Sequence, residues 1–278
     1  MKQYKLSNGI DIPGIGIGTW QLNDREILET ILAEAYHYGY RLIDTAAAYS
    51  NEIGIGSFFK KYPELRKEFF LSDKLWKTNR GYQEVQDACK RSLRKLKTDY
   101  LDAYLIHWPA SPELYSEWEE MNAETWRGME KLYREGYVRS IGVCNFQKYH
   151  LEALEKTSEI SPMINQFEVH PHLPREEWIS DCKSRNIHVE ASRPLGLGKA
   201  LNHSVIQRIA QEHGKSTAQV CLKWAVEKEI TVIPKTCHQE RLKENIDLFD
   251  WNLTREEIEE IDNLPIYEVD RDEVLKFG

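Results

Sequence analysis

The sequence is poor in the features that mark several protein classes. No run approaches the roughly 20 apolar residues that a bilayer span requires, so no transmembrane helix and no membrane partner is expected. Basic residues are in the minority: 37 Lys and Arg stand against 45 Asp and Glu, a net charge of -8. That balance argues against binding a phosphate backbone, and nucleic acid is not an expected partner. The five cysteines, Cys89, Cys144, Cys182, Cys221 and Cys237, are odd in number and never spaced C-x-x-C. Neither a disulfide framework nor a zinc knuckle fits; free thiols read as small buried hydrophobes in a reducing cytosol, so a cytoplasmic protein is expected. The opening MKQYKLSNGIDIPGIGIG lacks an apolar core and is not read as a secretory signal. Low-complexity segments, linkers and composition steps are missing too, so residues 1–278 read as one domain.

What remains is ordinary globular chemistry, 41% hydrophobic and 29% charged, in a chain long enough for two small domains or one large barrel. The start reads as a β-hairpin, YKL and IDI joined by Ser7-Asn8-Gly9. Short apolar runs follow at 15–20, 41–45, 69–72, 101–107, 138–143, 163–167, 187–191 and 231–234. Several are nearly continuous, as in parallel strands covered on both faces. Amphipathic stretches separate them. Asn23-x-x-Glu26 reads as a capping box with Ile27, Ile31 and Ala35 on one face; Ser216-x-x-Gln219 and Thr254-x-x-Glu257 read as two more, the last with Leu253 and Ile258 as a staple. Residues 81–96 and 238–248 carry further helical stripes. Eight strands alternating with helices predict a single (β/α)8 TIM barrel preceded by the hairpin. An open dinucleotide-binding sheet would need G-x-G-x-x-G between its first strand and helix, whereas Gly14, Gly16 and Gly18 lie inside the strand.

In such a barrel the chemistry sits at the C-terminal strand ends. Asp44 ends the second strand with Tyr49 five residues on, Lys74 follows the third, and His107 ends the fourth. Asn145, Asn165, Gln166 and Lys235 occupy later ends. Taken singly, each has a structural explanation: Asp44 a turn cap, His107 a core histidine. Together they suit proton transfer to a carbonyl. A buried lysine needs Asp44 to stay charged, and its ammonium lowers the pKa of a phenol, so Tyr49 is expected as a general acid tuned toward neutral pH. His107 would orient the substrate oxygen. No nucleophile is evident, so a cofactor is expected to do the hard step.

The stretches IDTAAAYSNE (43–52), DKLW (73–76), LIHWP (105–109), IGVCNF (141–146), INQFEVHP (164–171), VIPKT (232–236) and RLKEN (241–245) give the chain, over nearly its whole length, a resemblance to the aldo-keto reductases, in particular their microbial aldose- and diketogluconate-reductase-like members. The resemblance implies a (β/α)8 barrel and NADPH-dependent reduction of aldehydes or ketones. It implies Asp44, Tyr49, Lys74 and His107 as catalytic tetrad. Cofactor contacts carry over to Thr19, Trp20, Asp44, Cys144, Asn145, Gln166, Ser192, Arg193 and Leu195, and for the adenosine 2′-phosphate to Lys235, Thr236, Arg241, Glu244 and Asn245. Cations flanking the start of a helix make an anion site, which favours NADP(H) over NAD(H). Two positions depart from the family: Cys144 replaces a serine, and Ser192-Arg193 replaces an aromatic-serine pair, which removes a ring that would stack on the nicotinamide. Arg193 could reach the pyrophosphate or an acidic substrate.

Trp20, Trp76 and Trp108 each follow a strand and, with His107, are expected to line the substrate pocket. Residues 109–120 read as a polar loop over the site, and the short tail after Leu264 suggests an open pocket for small carbonyl substrates. His170 and His172 lack partners for a metal site, and none is expected. A monomer is the default expectation, with a dimer allowed. Two other readings are a nucleotide-binding barrel with weakened catalysis and a lyase using Lys74 as a Schiff-base amine.

Overall fold

The computed structural model describes residues 2–267. Strands β1 (Gln3–Lys5) and β2 (Asp11–Pro13) pair antiparallel as the expected hairpin, with Gly9 at φ 85°, a turn conformation glycine adopts without strain. Eight parallel strands follow: β3 (Ile17–Gly18), β4 (Leu42–Asp44), β5 (Phe70–Leu75), β6 (Ala103–Ile106), β7 (Ile141–Cys144), β8 (Ile164–Glu168), β9 (His188–Ser192) and β10 (Thr231–Val232), each hydrogen-bonded to the next. Bridges from Ile15 to Val232 and from Gly18 to Lys235 join first to last and close the barrel. The glycines that would be odd in an open sheet explain themselves at this seam. A β-carbon on Gly16 would lie 2.5 Å from Leu42 Cγ, and one on Gly18 would lie 2.9 Å from the Ile233 carbonyl.

Helices α1 (Arg25–His37), α2 (Glu52–Lys61), α3 (Tyr82–Leu96), α4 (Trp118–Arg134), α5 (Lys148–Glu155), α6 (Glu176–Ser184), α7 (Ser204–His213), α8 (Thr217–Glu227), α9 (Gln239–Ile246) and α10 (Arg255–Asp262) complete the fold. The capping boxes at Ser216 and Thr254 form as expected. The first does not. Asp24, not Asn23, caps α1, its carboxylate accepting from the amides of Glu26 and Ile27. Ile31 and Ala35 are buried as expected, joined by Leu28 and Leu32, whereas Ile27 faces outward (45% exposed). The loop over the rim is also shorter than expected, because α4 already begins at Trp118, whose ring meets Tyr149 and His150 edge-on.

The hairpin covers the N-terminal end of the barrel. Tyr4 packs its ring 5.2 Å from that of His188 and donates its hydroxyl to the Val226 carbonyl at 3.1 Å, while Leu6 and Ile12 are buried. No described helix is long and apolar enough to cross a membrane. The tail that suggested an open pocket lies mostly outside the described residues.

Candidate active site

The four residues singled out by strand position converge. Strand β4 delivers Asp44 to the rim, β5 delivers Lys74, a short 3₁₀ turn (Ala47–Tyr49) returns Tyr49 toward both, and His107 follows β6. Lys74 is fully buried and donates to both carboxylate oxygens of Asp44 at 2.6 Å and to the Thr45 carbonyl at 2.9 Å. Asn51, whose amide donates to the Thr19 carbonyl and whose oxygen accepts from Thr45, fixes the loop that carries Tyr49. The Lys74 ammonium lies 5.2 Å from the centre of the Tyr49 ring. His107 stands edge-on between Tyr49 (centroids 5.8 Å apart) and Trp76 (5.3 Å).

Electrostatics follow from burial and neighbours. Burial works against the charge on Lys74, but Asp44 outweighs it, and the ammonium is held above its ordinary range. A Schiff-base role needs a neutral amine, so this environment opposes the lyase reading. Burial, aided by the Lys74 charge, drives His107 well below its usual value, so the imidazole is neutral. Its Nδ1 is buried and meets no partner among the described residues. The less costly tautomer leaves a lone pair there and the proton on Nε2, because an orphaned N–H is the greater penalty. Tyr49 departs from expectation. Burial pushes its phenol up to about 12, with Lys74 pulling down against it, so the surrounding side chains do not tune it toward neutrality.

The wider set divides. Asn145 sits at φ 63° and donates to the His107 carbonyl at 3.0 Å. Cys144 is buried and its thiol is pushed well up by burial. Gln166 Nε2 is shared between Asp44 (2.9 Å) and Glu190 (3.1 Å). Trp20, Trp76, Trp108, Ser192 and Leu195 are half-buried, while Thr19 is buried and accepts or donates only within the chain, its hydroxyl on the Asp44 carbonyl. Arg193, at φ 46°, places its guanidinium 5.2 Å from the Trp20 ring centre and 3.4 Å from Glu168. Around the start of α9, Lys235 and Arg241 are exposed and make no ion pair among the described residues. Thr236 and Asn245 are buried, and Glu244 accepts a short hydrogen bond from Ser216. His170 and His172 are occupied otherwise, His170 with Glu168 at 3.4 Å and His172 with the Pro265 carbonyl at 2.7 Å.

Glu190 is the residue that reading the strand ends missed. It lies mid-strand rather than at an end, and only its inward register beside Gln166 would have exposed it. Burial, with the Asp44 charge adding, pushes its carboxyl up to about 8 against the pull of Lys74 and the Gln166 hydrogen bond.

The sequence profile described as "Aldo/keto reductase family" matches residues 14–266. "Glyoxal reductase" of Bacillus subtilis (strain 168) is 43% identical over 261 residues, 94% of this chain and 91% of its own. "Methylglyoxal reductase DkgA" of Escherichia coli (strain K12) is 38% identical over 262 residues, 94% and 92% of the two chains. A Bombyx mori aldo-keto reductase, crystallised in complex with NADP, superposes with a TM-score of 0.86 at 32% identity, covering 94% of this chain and 92% of its own.

Proposed function

The chain belongs to the aldo/keto reductase family, and from that premise we propose that it is an NADPH-dependent reductase of small reactive aldehydes, with 2-oxoaldehydes such as methylglyoxal as the substrate class. The observation that carries the reading is the buried Lys74–Asp44 pair facing the Tyr49 phenol, with neutral His107 alongside. The substrate class is taken from the names of the two relatives and suits a mouth walled by half-buried Trp20, Trp76 and Trp108.

The residues present suit a nicotinamide dinucleotide phosphate. Lys235 and Arg241 are exposed cations, in no ion pair among the described residues, beside the amino end of α9, the place where backbone amides and the helix dipole already favour an anion. Asn145, held in a left-handed conformation at the rim, keeps its amide oxygen for a carboxamide. When bound, NADPH supplies the hydride. The chain's own groups manage the proton. Tyr49 holds its proton at every ordinary pH and releases it only as negative charge grows on the carbonyl oxygen. Lys74 then meets the phenolate, and Asp44 keeps Lys74 charged in a site that would otherwise strip the charge from it. His107 donates from Nε2 and orients the substrate oxygen.

The test is the initial rate of NADPH and NADH oxidation with methylglyoxal, run beside Tyr49→Phe. The expected result is a preference for NADPH and a loss of about 10³-fold or more in the variant, with NADPH binding retained. Turnover retained in Tyr49→Phe removes Tyr49 as the acid. NADPH binding without turnover across an aldehyde panel favours the weakly catalytic barrel instead.

A further inference from the structure

The rim holds one cation that the steps above do not use. Past the end of β6 the chain leaves its strand, and the carbonyls of four successive residues are each taken by a side chain from elsewhere. Asn145 donates to that of His107 at 3.0 Å. Asn122 on α4 donates to that of Ala110 at 2.9 Å and accepts from the Ala110 amide at 2.8 Å. The two carbonyls between them are held by Arg80, from the loop between β5 and α3. Its Nη2 donates to Trp108 at 3.3 Å and to Pro109 at 3.0 Å.

The other arm of the same guanidinium, Nη1, donates to the Lys77 carbonyl at 3.0 Å, in the short turn (Lys77–Asn79) that follows Trp76. The backbone beside Arg80 is anchored as well. Gly81 donates its amide to Thr125 on α4 at 2.9 Å and turns at φ 110°, a conformation that favours glycine. Tyr115 lies against the guanidinium, its ring centre 5.4 Å away. Nε is buried and meets no acceptor among the described residues, so the two Nη atoms carry the hydrogen bonding. One planar fork thus joins the loops of two rim tryptophans. Trp76 stands beside His107 in space, their rings 5.3 Å apart, and Trp108 follows it in the chain.

We propose that Arg80 is a positioning residue that determines specificity: it fixes the gap between Trp76 and Trp108, and so sets how well a carbonyl compound with a flat apolar group, such as an aromatic aldehyde, is seated at Tyr49. This rests on the reductase reading above. The hydrogen bonds of Arg80 go to backbone carbonyls and not to Tyr49 or His107, so it acts through the tryptophans. An indole offers a large apolar face, and an aromatic substrate gains most from it when the indole is already held in place. A small aldehyde resting on Tyr49 and His107 draws less from those walls.

The experiment compares the wild type with Arg80→Met, which keeps an unbranched stem and removes the fork. Initial rates at saturating NADPH give kcat and KM for para-nitrobenzaldehyde and for methylglyoxal. The ratio of kcat/KM for the aromatic aldehyde to that for the small one is expected to fall about tenfold, through KM of the aromatic substrate rather than its kcat. A second readout needs no turnover: fluorine NMR of protein labelled with fluorotryptophan, its resonances assigned by single Trp→Phe substitutions. Those of Trp76 and Trp108 should shift or broaden in Arg80→Met, while that of Trp224, buried on α8 and bonded to Asp262 of α10, stays put. Equal losses for the two aldehydes, a loss confined to kcat, or unmoved Trp76 and Trp108 resonances overturn the proposal. Should Arg80→Met fail to fold, Arg80→Lys carries the same test, because one ammonium cannot span both loops; a wild-type substrate ratio in that variant sinks the proposal. If the wild type reduces no carbonyl at all, the reductase reading falls, and the fluorine resonances alone decide whether Arg80 holds the two tryptophans.

Discussion

Two buried ion pairs flank β5, one at each end, and they are built for different ends. Before the strand, Arg66 reaches Asp102 at 2.9 Å. The rest of its guanidinium is committed to the chain: Nε to Thr98 (2.8 Å), Nη1 to the Phe69 carbonyl (2.9 Å), Nη2 to the Tyr100 carbonyl (2.8 Å). Asp102 in turn accepts from the Leu71 amide at 3.0 Å, and the planar group stacks 4.1 Å from the Tyr100 ring. Near the other end, Lys74 holds Asp44 and Thr45, and its field falls on a titratable phenol at the mouth. A rigid fork suits locking loops together; a compact ammonium suits presenting charge to one ring. Burial and pairing are common to both, so neither marks function. What the charge faces does.

The sharpest way to break this comparison is to remove each cation. Lys74→Met strands the buried Asp44 carboxylate and should cost about 3–5 kcal/mol in a denaturant melt; Arg66→Met leaves Asp102 with Arg139 at 3.3 Å and the Leu71 amide at 3.0 Å, and should cost less. Only Lys74→Met should also lose reduction, by on the order of 10²–10⁴-fold, at temperatures where both proteins are folded. Equal loss in folded Arg66→Met would erase the distinction.

A smaller effect belongs to the hairpin end. His188 is held at about 4 when folded, below the roughly 6.5 of an exposed histidine. Its contribution is therefore intact above about pH 6.5 and drains as pH falls toward 4, by about 3 kcal/mol. Urea midpoints across that range should drop in the wild type and flatten in His188→Gln, while the neutral-pH rate of reduction stays put. An unchanged acid slope in the variant would mean that the ring does not carry the effect. The smallest change is expected at α9: Arg241→Ala should weaken NADPH about tenfold more than NADH in a binding titration. Equal weakening would argue against a 2′-phosphate contact there.

Much of this was legible beforehand, for physical reasons. Eight apolar runs fix strands because parallel strands are buried on both faces, and polar groups at their ends have no packing purpose, which is why Asp44, Lys74 and His107 stand out. Tyr49 was found by its distance from Asp44 along the chain. Other features were hidden. Asn23 and Asp24 are both good caps, and composition could not choose between them; tertiary burial of Leu28 did. The acidity of Tyr49 was misjudged because a sequence shows the neighbouring lysine but not the extent to which water is excluded. Glu190 escaped notice because it lies inside a strand, away from the ends, and only closure of the sheet makes the face it occupies an interior.

The hairpin packs at the amino ends of the strands, and Tyr49 with the half-buried tryptophans of the rim lies at the carboxyl ends. The barrel between them is a packed core. Bulk added at the rim therefore slows arrival and departure together, whereas alterations to Tyr4, Leu6 or Ile12 can loosen the floor without touching traffic. Stability and exchange are lodged at opposite ends of one cylinder, and each can be adjusted without retuning the other.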